Sequence, residues 1–145
     1  MTLTLEEIKS IIPQRPPILL VDEVSKLIPG DSIETRFYVS PDMSVFQGHF
    51  PGNPVLPGVY SVEALAQTAD ILLLSLERYQ GMVPLFMGID QMRFKHKILP
   101  GVHLRMTARI THEDAVRRII SCETAAYQAD RDILCAIGVL TLAMR

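Results

Sequence analysis

The chain has 145 residues, enough for one ordinary core and too few for a second. Hydrophobic residues make up 48% and charged residues 21%, a globular composition and not a disordered one. A net charge of −2, with Lys and Arg scattered, excludes a stripe that follows a phosphate backbone, so no nucleic-acid partner is expected.

The first expected element is a short helix. Thr4 followed by Glu7 makes a capping box, and Leu5, Ile8, Ile11 and Ile12 share one face before Pro13 ends the pattern. The beginning of the chain carries neither the basic start nor the long apolar core of a signal peptide. No apolar run approaches the roughly 20 residues that cross a bilayer. A cytoplasmic protein with no membrane partner is the expectation. Cys122 and Cys135 lie in apolar, strand-like stretches without metal-ligand spacing and are expected as buried free thiols.

Prolines 13, 16 and 17 force an extended connection. Residues 18–28 read as a strand, Pro29-Gly30-Asp31 as a turn, and the next stretch through Val39 as a second strand. Residues 40–57 form a loop rich in Pro and Gly, of a length that usually carries function. The long helix is expected over residues 57–79. Pro57 suits its first turn, Gly81 lies just past its end, and Val59, Val62, Leu65, Ala66, Ala69, Leu72, Leu73 and Leu76 leave it apolar on most of its circumference. The period then switches to two: Leu104, Met106, Ala108 and Ile110 alternate with Arg105, Thr107, Arg109 and Thr111. Residues 86–95, 117–127 and 133–144 supply further strands, the last apolar on both faces and so central or at a subunit contact. The pattern describes an α+β fold, a single domain over residues 1–145 in which one curved antiparallel sheet covers a central helix.

Two features can carry chemistry. His49 sits in Gly48-His49-Phe50-Pro51-Gly52-Asn53-Pro54-Val55-Leu56-Pro57-Gly58-Val59, where Gly and Pro fix the backbone and so hold a base in place at small entropic cost. The plainer alternative is a turn whose His completes a local hydrogen-bond network. On the helix, Glu63, Gln67 and Asp70 stand at i, i+4 and i+7, one narrow face of an otherwise apolar element. A carboxyl there is expected to hold its proton more tightly than usual and to act as a donor. The alternative is a polar stripe facing water. The free N–H groups at the helix start, near Gly58 and Val59, can polarise a carbonyl oxygen, as any helix start can. No nucleophile elbow, phosphate loop, dinucleotide fingerprint or metal-ligand spacing among His96, His103 and His112 is present.

The block from Gly48 to Val59, followed by Glu63-Ala64-Leu65-Ala66-Gln67, closely resembles the 3-hydroxyacyl-acyl carrier protein dehydratase family of type II fatty acid synthesis. Leu19-Leu20-Val21-Asp22, the stretch from Gly88 to Lys95 and Leu99-Pro100-Gly101 extend the likeness over nearly the whole chain. The resemblance implies a hot-dog fold and a hydro-lyase that converts a (3R)-3-hydroxyacyl thioester to a trans-2-enoyl thioester without metal or organic cofactor. It implies His49 and Glu63 as the catalytic pair, with Phe50, Gly58, Val59 and Gln67 binding substrate. It also implies an acyl carrier protein as partner and a homodimer in which His49 of one subunit meets Glu63 of the other, with three dimers assembling further. Relatives that also move the double bond carry Asp at the position of Glu63, so plain dehydration is implied. Gln14, Pro17 and Val102 depart from the family's usual His, aromatic and Asp, and leave acyl chain length open. Arg93, Lys95, His96 and Lys97 are candidates for meeting an acidic carrier, or are a solvated strand end. Two other readings remain: a thioesterase of the same fold, and a non-catalytic carrier-binding subunit.

Overall fold

Alternating side chains and one apolar helix produce the architecture directly. The computed structural model describes residues 1–145. Its elements are α1 (Leu5–Ile11), β1 (Glu23–Ile28), β2 (Ser32–Tyr38), α2 (Gly58–Leu74), β3 (Pro84–Phe94), β4 (His103–Asp114), β5 (Ile119–Gln128) and β6 (Ile133–Met144). Short 3₁₀ turns occupy Ser44–Gln47 and Glu77–Tyr79. The six strands form one antiparallel sheet in the order β1-β2-β4-β5-β6-β3.

Along β4, Leu104, Met106 and Ala108 point inward. Ile33, Thr35 and Phe37 of β2 and Ile120 and Cys122 of β5 join them against α2. The helix buries thirteen of its residues, including Leu65, Ile71 and Leu72 at 0% exposure. Each such side chain contributes about 1.5–3 kcal/mol relative to an exposed one. The buried hydroxyls follow the same economy: Thr68 donates to the Ala64 carbonyl, so the hydrogen of the 2.8 Å contact with Thr35 comes from Thr35. The capping box of α1 forms as expected, with Thr4 and Glu7 bonded in both directions. Cys122 and Cys135 are free and buried. β6 lies between β5 and β3, inside the sheet. No helix is long and apolar enough to cross a membrane.

Three boundaries differ from the sequence expectation. The helix expected to reach residue 79 stops at Leu74, where Ser75 takes the C-terminal cap. A separate turn at Glu77–Tyr79 follows, held by Tyr79 donating to Glu113. The strand expected from residue 18 begins at Glu23. Upstream, the backbone of Ile18 and Leu20 is satisfied by a side chain of α2 instead of a neighbouring strand. β3 runs from Pro84 and, like β1 at the opposite side, is one of the two sheet edges. Its Leu85, Phe86, Met87, Ile89 and Phe94 are 42–57% exposed, an apolar edge that an isolated subunit would leave open.

Candidate active site

His49 is positioned by a small knot of backbone. Phe50 and Asn53 exchange N–H···O bonds of 3.1 and 2.8 Å around Pro51-Gly52. Gly52 supplies the positive φ of 72° that this tight turn requires. The Val55 N–H returns to the His49 carbonyl at 3.0 Å, and the His49 N–H reaches Val45 in the preceding 3₁₀ turn at 3.1 Å. Leu56 ties the end of the loop to Ile98 at 2.8 Å. Phe50 stacks on the imidazole with ring centroids 3.9 Å apart.

The decisive contact is between His49 Nδ1 and the Val55 carbonyl oxygen, 2.8 Å apart. A carbonyl only accepts, so Nδ1 carries the hydrogen, and a neutral His49 has its lone pair on Nε2. The loop thus selects the tautomer as well as the place of the ring. The sequence could not reveal Val55 as the group responsible, since the contact is made through its backbone.

On α2, Gln67 is fully buried and makes three hydrogen bonds, through both amide hydrogens and its oxygen. Its Oε1 accepts from the Leu20 N–H at 2.7 Å, while Nε2 donates to the Ile18 carbonyl at 2.7 Å and to Glu63 Oε1 at 3.1 Å. Glu63 is half-buried; its Oε1 accepts from Gln67, and no hydrogen bond within the chain reaches its Oε2. The i, i+4 spacing placed Gln67 beside Glu63 on the helix, and the two side chains are hydrogen-bonded there. Its two backbone partners lie 47 and 49 residues away in the chain and left no periodic trace. Asp70 completes the stripe but turns to Gln14 and is 3% exposed, so the more deeply buried carboxyl is Asp70 and not Glu63.

The start of α2 has no side-chain cap, and the Tyr60 N–H bonds back to Pro57 at 2.9 Å. The N–H groups of Gly58 and Val59 therefore stand at the positive end of the helix without a helical acceptor. They border a cavity of about 600 Å³ that Phe94, Lys95, His96 and Lys97 also line. Gly58 lets the Phe94 ring pack close to the helix start: a Cβ there would lie 3.0–3.3 Å from the ring, which would have to shift. Arg93 faces elsewhere, into a groove of about 710 Å³ on the other side of the sheet, and Lys95 borders both cavities. The four basic residues expected together are thus divided between two surfaces. No group of three or more His, Cys, Asp or Glu converges on one point.

Within one chain the expected site residues form three groups: His49 with Phe50 in the loop, Gly58 with Val59 at the helix start, and Glu63 with Gln67 further along α2. No hydrogen bond joins the His49 ring to Glu63.

A FabA-like domain model matches residues 12–137. Among curated proteins, the chain is 38% identical to a 3-hydroxyacyl-[acyl-carrier-protein] dehydratase FabZ from Oenococcus oeni over 97% of this chain and 99% of that one. It is 41% identical to the protein of the same name from Roseiflexus castenholzii, over 92% and 91% of the two chains. In structure it is similar to a chain of the dehydratase heterocomplex ApeI:P from Xenorhabdus doucetiae, with a TM-score of 0.78, 16% identity, and 95% and 90% coverage. A hypothetical thioesterase protein with coenzyme A from Streptococcus pneumoniae matches at a TM-score of 0.64 and 10% identity over 84% of each chain, a likeness of fold alone.

Proposed function

Because the chain belongs to the FabZ family of 3-hydroxyacyl-[acyl-carrier-protein] dehydratases, within the FabA-like group, we propose that His49 and Glu63 are the residues that perform its elimination of water. The activity is that of a hydro-lyase on acyl-carrier thioesters, and the fold is the hot-dog fold that such dehydratases share with thioesterases. The observation that carries the residue assignment is the Nδ1 contact with Val55, which leaves Nε2 as a free base in a loop that cannot easily turn it away.

In the proposed reaction, His49 Nε2 takes the C2 proton of the 3-hydroxyacyl thioester. The negative charge that develops on the thioester oxygen is met by the N–H groups of Gly58 and Val59. Glu63 gives its Oε2 proton to the C3 hydroxyl, the C3–O bond breaks, and water leaves as the C2–C3 double bond forms. The imidazolium and carboxylate that remain are reset by one proton passing from His49 to Glu63. Gln67 fixes Glu63 throughout, and Phe50 packs on the base.

The same reading holds that the pair forms across a homodimer. Its support is the absence of a bond between the two residues in one chain, together with the open apolar edge of β3, where a second copy can extend the sheet. Three such dimers forming a hexamer is the further assembly that the sequence resemblance supports. Lys95, His96 and Lys97 at the mouth of the cavity beside Gly58 suit the acidic carrier. Action in the cytoplasm suits two free buried thiols, and a single domain over residues 1–145 completes the reading.

The test is to incubate the protein with a 3-hydroxyacyl-carrier thioester and follow the conjugated enoyl thioester by ultraviolet absorbance, with His49→Ala and Glu63→Gln alongside. Enoyl formation by wild type and its loss in both variants is expected. Undiminished activity in the two variants removes the residue assignment, and thiol release without enoyl product points to the thioesterase reaction.

A further inference from the structure

Two buried side-chain oxygens have no hydrogen-bond partner: Gln14 Oε1 and Asp70 Oδ1. They belong to one pair, because Gln14 Nε2 donates to Asp70 Oδ2 at 3.0 Å. The amide and the carboxyl therefore match on one side, N–H to oxygen, and fail on the other, where both remaining atoms are acceptors. An ionised carboxylate has nothing to give, and two sealed, unmatched acceptors are costly. A single proton on Oδ1 resolves both at once, since an acid O–H can donate to the amide oxygen. We infer that Asp70 is a neutral carboxylic acid that closes a two-bond acid–amide ring with Gln14, latching the proline segment of residues 13–20 onto α2 in a pH-dependent way.

Burial and charge together favour the neutral form. Asp70 is 3% exposed. Of the titratable groups around it, Glu63 on its own helix opposes a second negative charge, while the Cys122 thiol from β5 is itself held neutral, by burial first and by Asp70 second. The nearest guanidinium in sequence, Arg15, is spent on the carbonyls of Lys9, Ile12 and Gln14. Burial, ahead of the opposing Gln14 bond and the Glu63 charge, pushes the Asp70 carboxyl up to about 7.

The latch has a consequence two bonds away. The segment it holds also presents the Ile18 carbonyl and the Leu20 N–H to Gln67, which in turn donates to Glu63. Asp70 is a positioning residue in this scheme: it touches no reacting atom and acts through the segment that fixes Gln67. That link rests on Glu63 being the site acid; the ring itself does not.

The sign of the pH effect follows from the raised value. Between the ordinary aspartate value of 3.8 and about 7 the folded state holds a proton that the unfolded state has lost. The stability from the ring is complete below that window, declines as pH rises through it, and is gone above about 7. Asp70→Asn copies the neutral acid, since its amide can donate to Gln14 Oε1 and accept from Nε2 at any pH.

The experiment uses the full chain at fixed concentration. Denaturant stability of wild type and Asp70→Asn is measured from about pH 5 to about pH 9, and the side-chain carboxyl carbons of labelled wild type and Gln14→Ala are titrated by NMR. The expected results are a variant that gains on wild type as pH rises and levels above about 7, and a wild-type carboxyl that titrates near 7 and moves when Gln14 is cut back. A constant stability difference across pH, or no aspartate titrating above about 5, overturns the ring. The NMR titration decides the matter even where Asp70→Asn folds poorly. The expected titration in a protein that forms no enoyl product supports the ring and overturns only its link to catalysis.

Discussion

Removing the Gln67 amide is the perturbation whose cost is most directly readable. Gln67→Ala leaves the Leu20 N–H without an acceptor in a site where Leu20 is 2% exposed, and the Ile18 carbonyl without its donor in a partly solvated one. A buried donor left alone costs about 1–3 kcal/mol, and a half-exposed carbonyl less because water can reach it. The sum is roughly 2–4 kcal/mol, a sizeable part of the 5–15 kcal/mol typical of a domain. The same change frees Glu63 Oε1, so kcat should fall further than the lost folded fraction explains. Urea denaturation at fixed protein concentration gives the first quantity and initial rates of enoyl formation the second. A destabilisation below about 1 kcal/mol would mean that water or a rearranged segment satisfies Leu20, and the buried relay would have to be abandoned.

Gly58→Ala puts a Cβ 3.0–3.3 Å from the Phe94 ring. Phe94 is 57% exposed and can swing, so stability should fall by only about 1 kcal/mol, while kcat/KM falls roughly 10–100-fold as the N–H cradle shifts. Steady-state kinetics with less than about a twofold change would remove Gly58 from the oxyanion role. Ile89→Asp places a charge on the open β3 edge, and light scattering should show monomers that form no enoyl product; an active monomer would contradict the shared site. Cys122 is fully buried and its thiol is pushed up to about 12, mainly by burial. The stability tied to its neutral form is complete below about 9 and lost as pH rises towards 12, and native protein at neutral pH should resist iodoacetamide until it unfolds.

The strands were legible wherever one face met the core and the other did not, as in β4, where Leu104, Met106 and Ala108 alternate with charged and polar neighbours. β6 was legible for the opposite reason, being apolar on both faces and central. Boundaries failed where side chains replaced backbone partners. Gln67 holds residues 18–20 out of the ladder, and the Tyr79 bond to Glu113 gives residues 77–79 a turn of their own. His49 and Glu63 stood out by composition, a base among rigid residues and a carboxyl on an apolar helix. The atoms that tune them did not: the Val55 carbonyl is backbone, and the segments meeting at Gln67 are far apart in the chain. Asp70 was visible as the third member of the stripe, but its partner Gln14 belongs to no repeating pattern at all.

Subunit complementation tests the central claim most directly. His49→Ala and Glu63→Gln, each inactive alone, are unfolded together and refolded as a mixture. If the pair forms across the dimer, about half the dimers are mixed and each has one intact site of two, so the mixture should recover about a quarter of wild-type activity. A mixture as inactive as its components, with mixed dimers shown to be present, would contradict a site made of His49 from one subunit and Glu63 from the other.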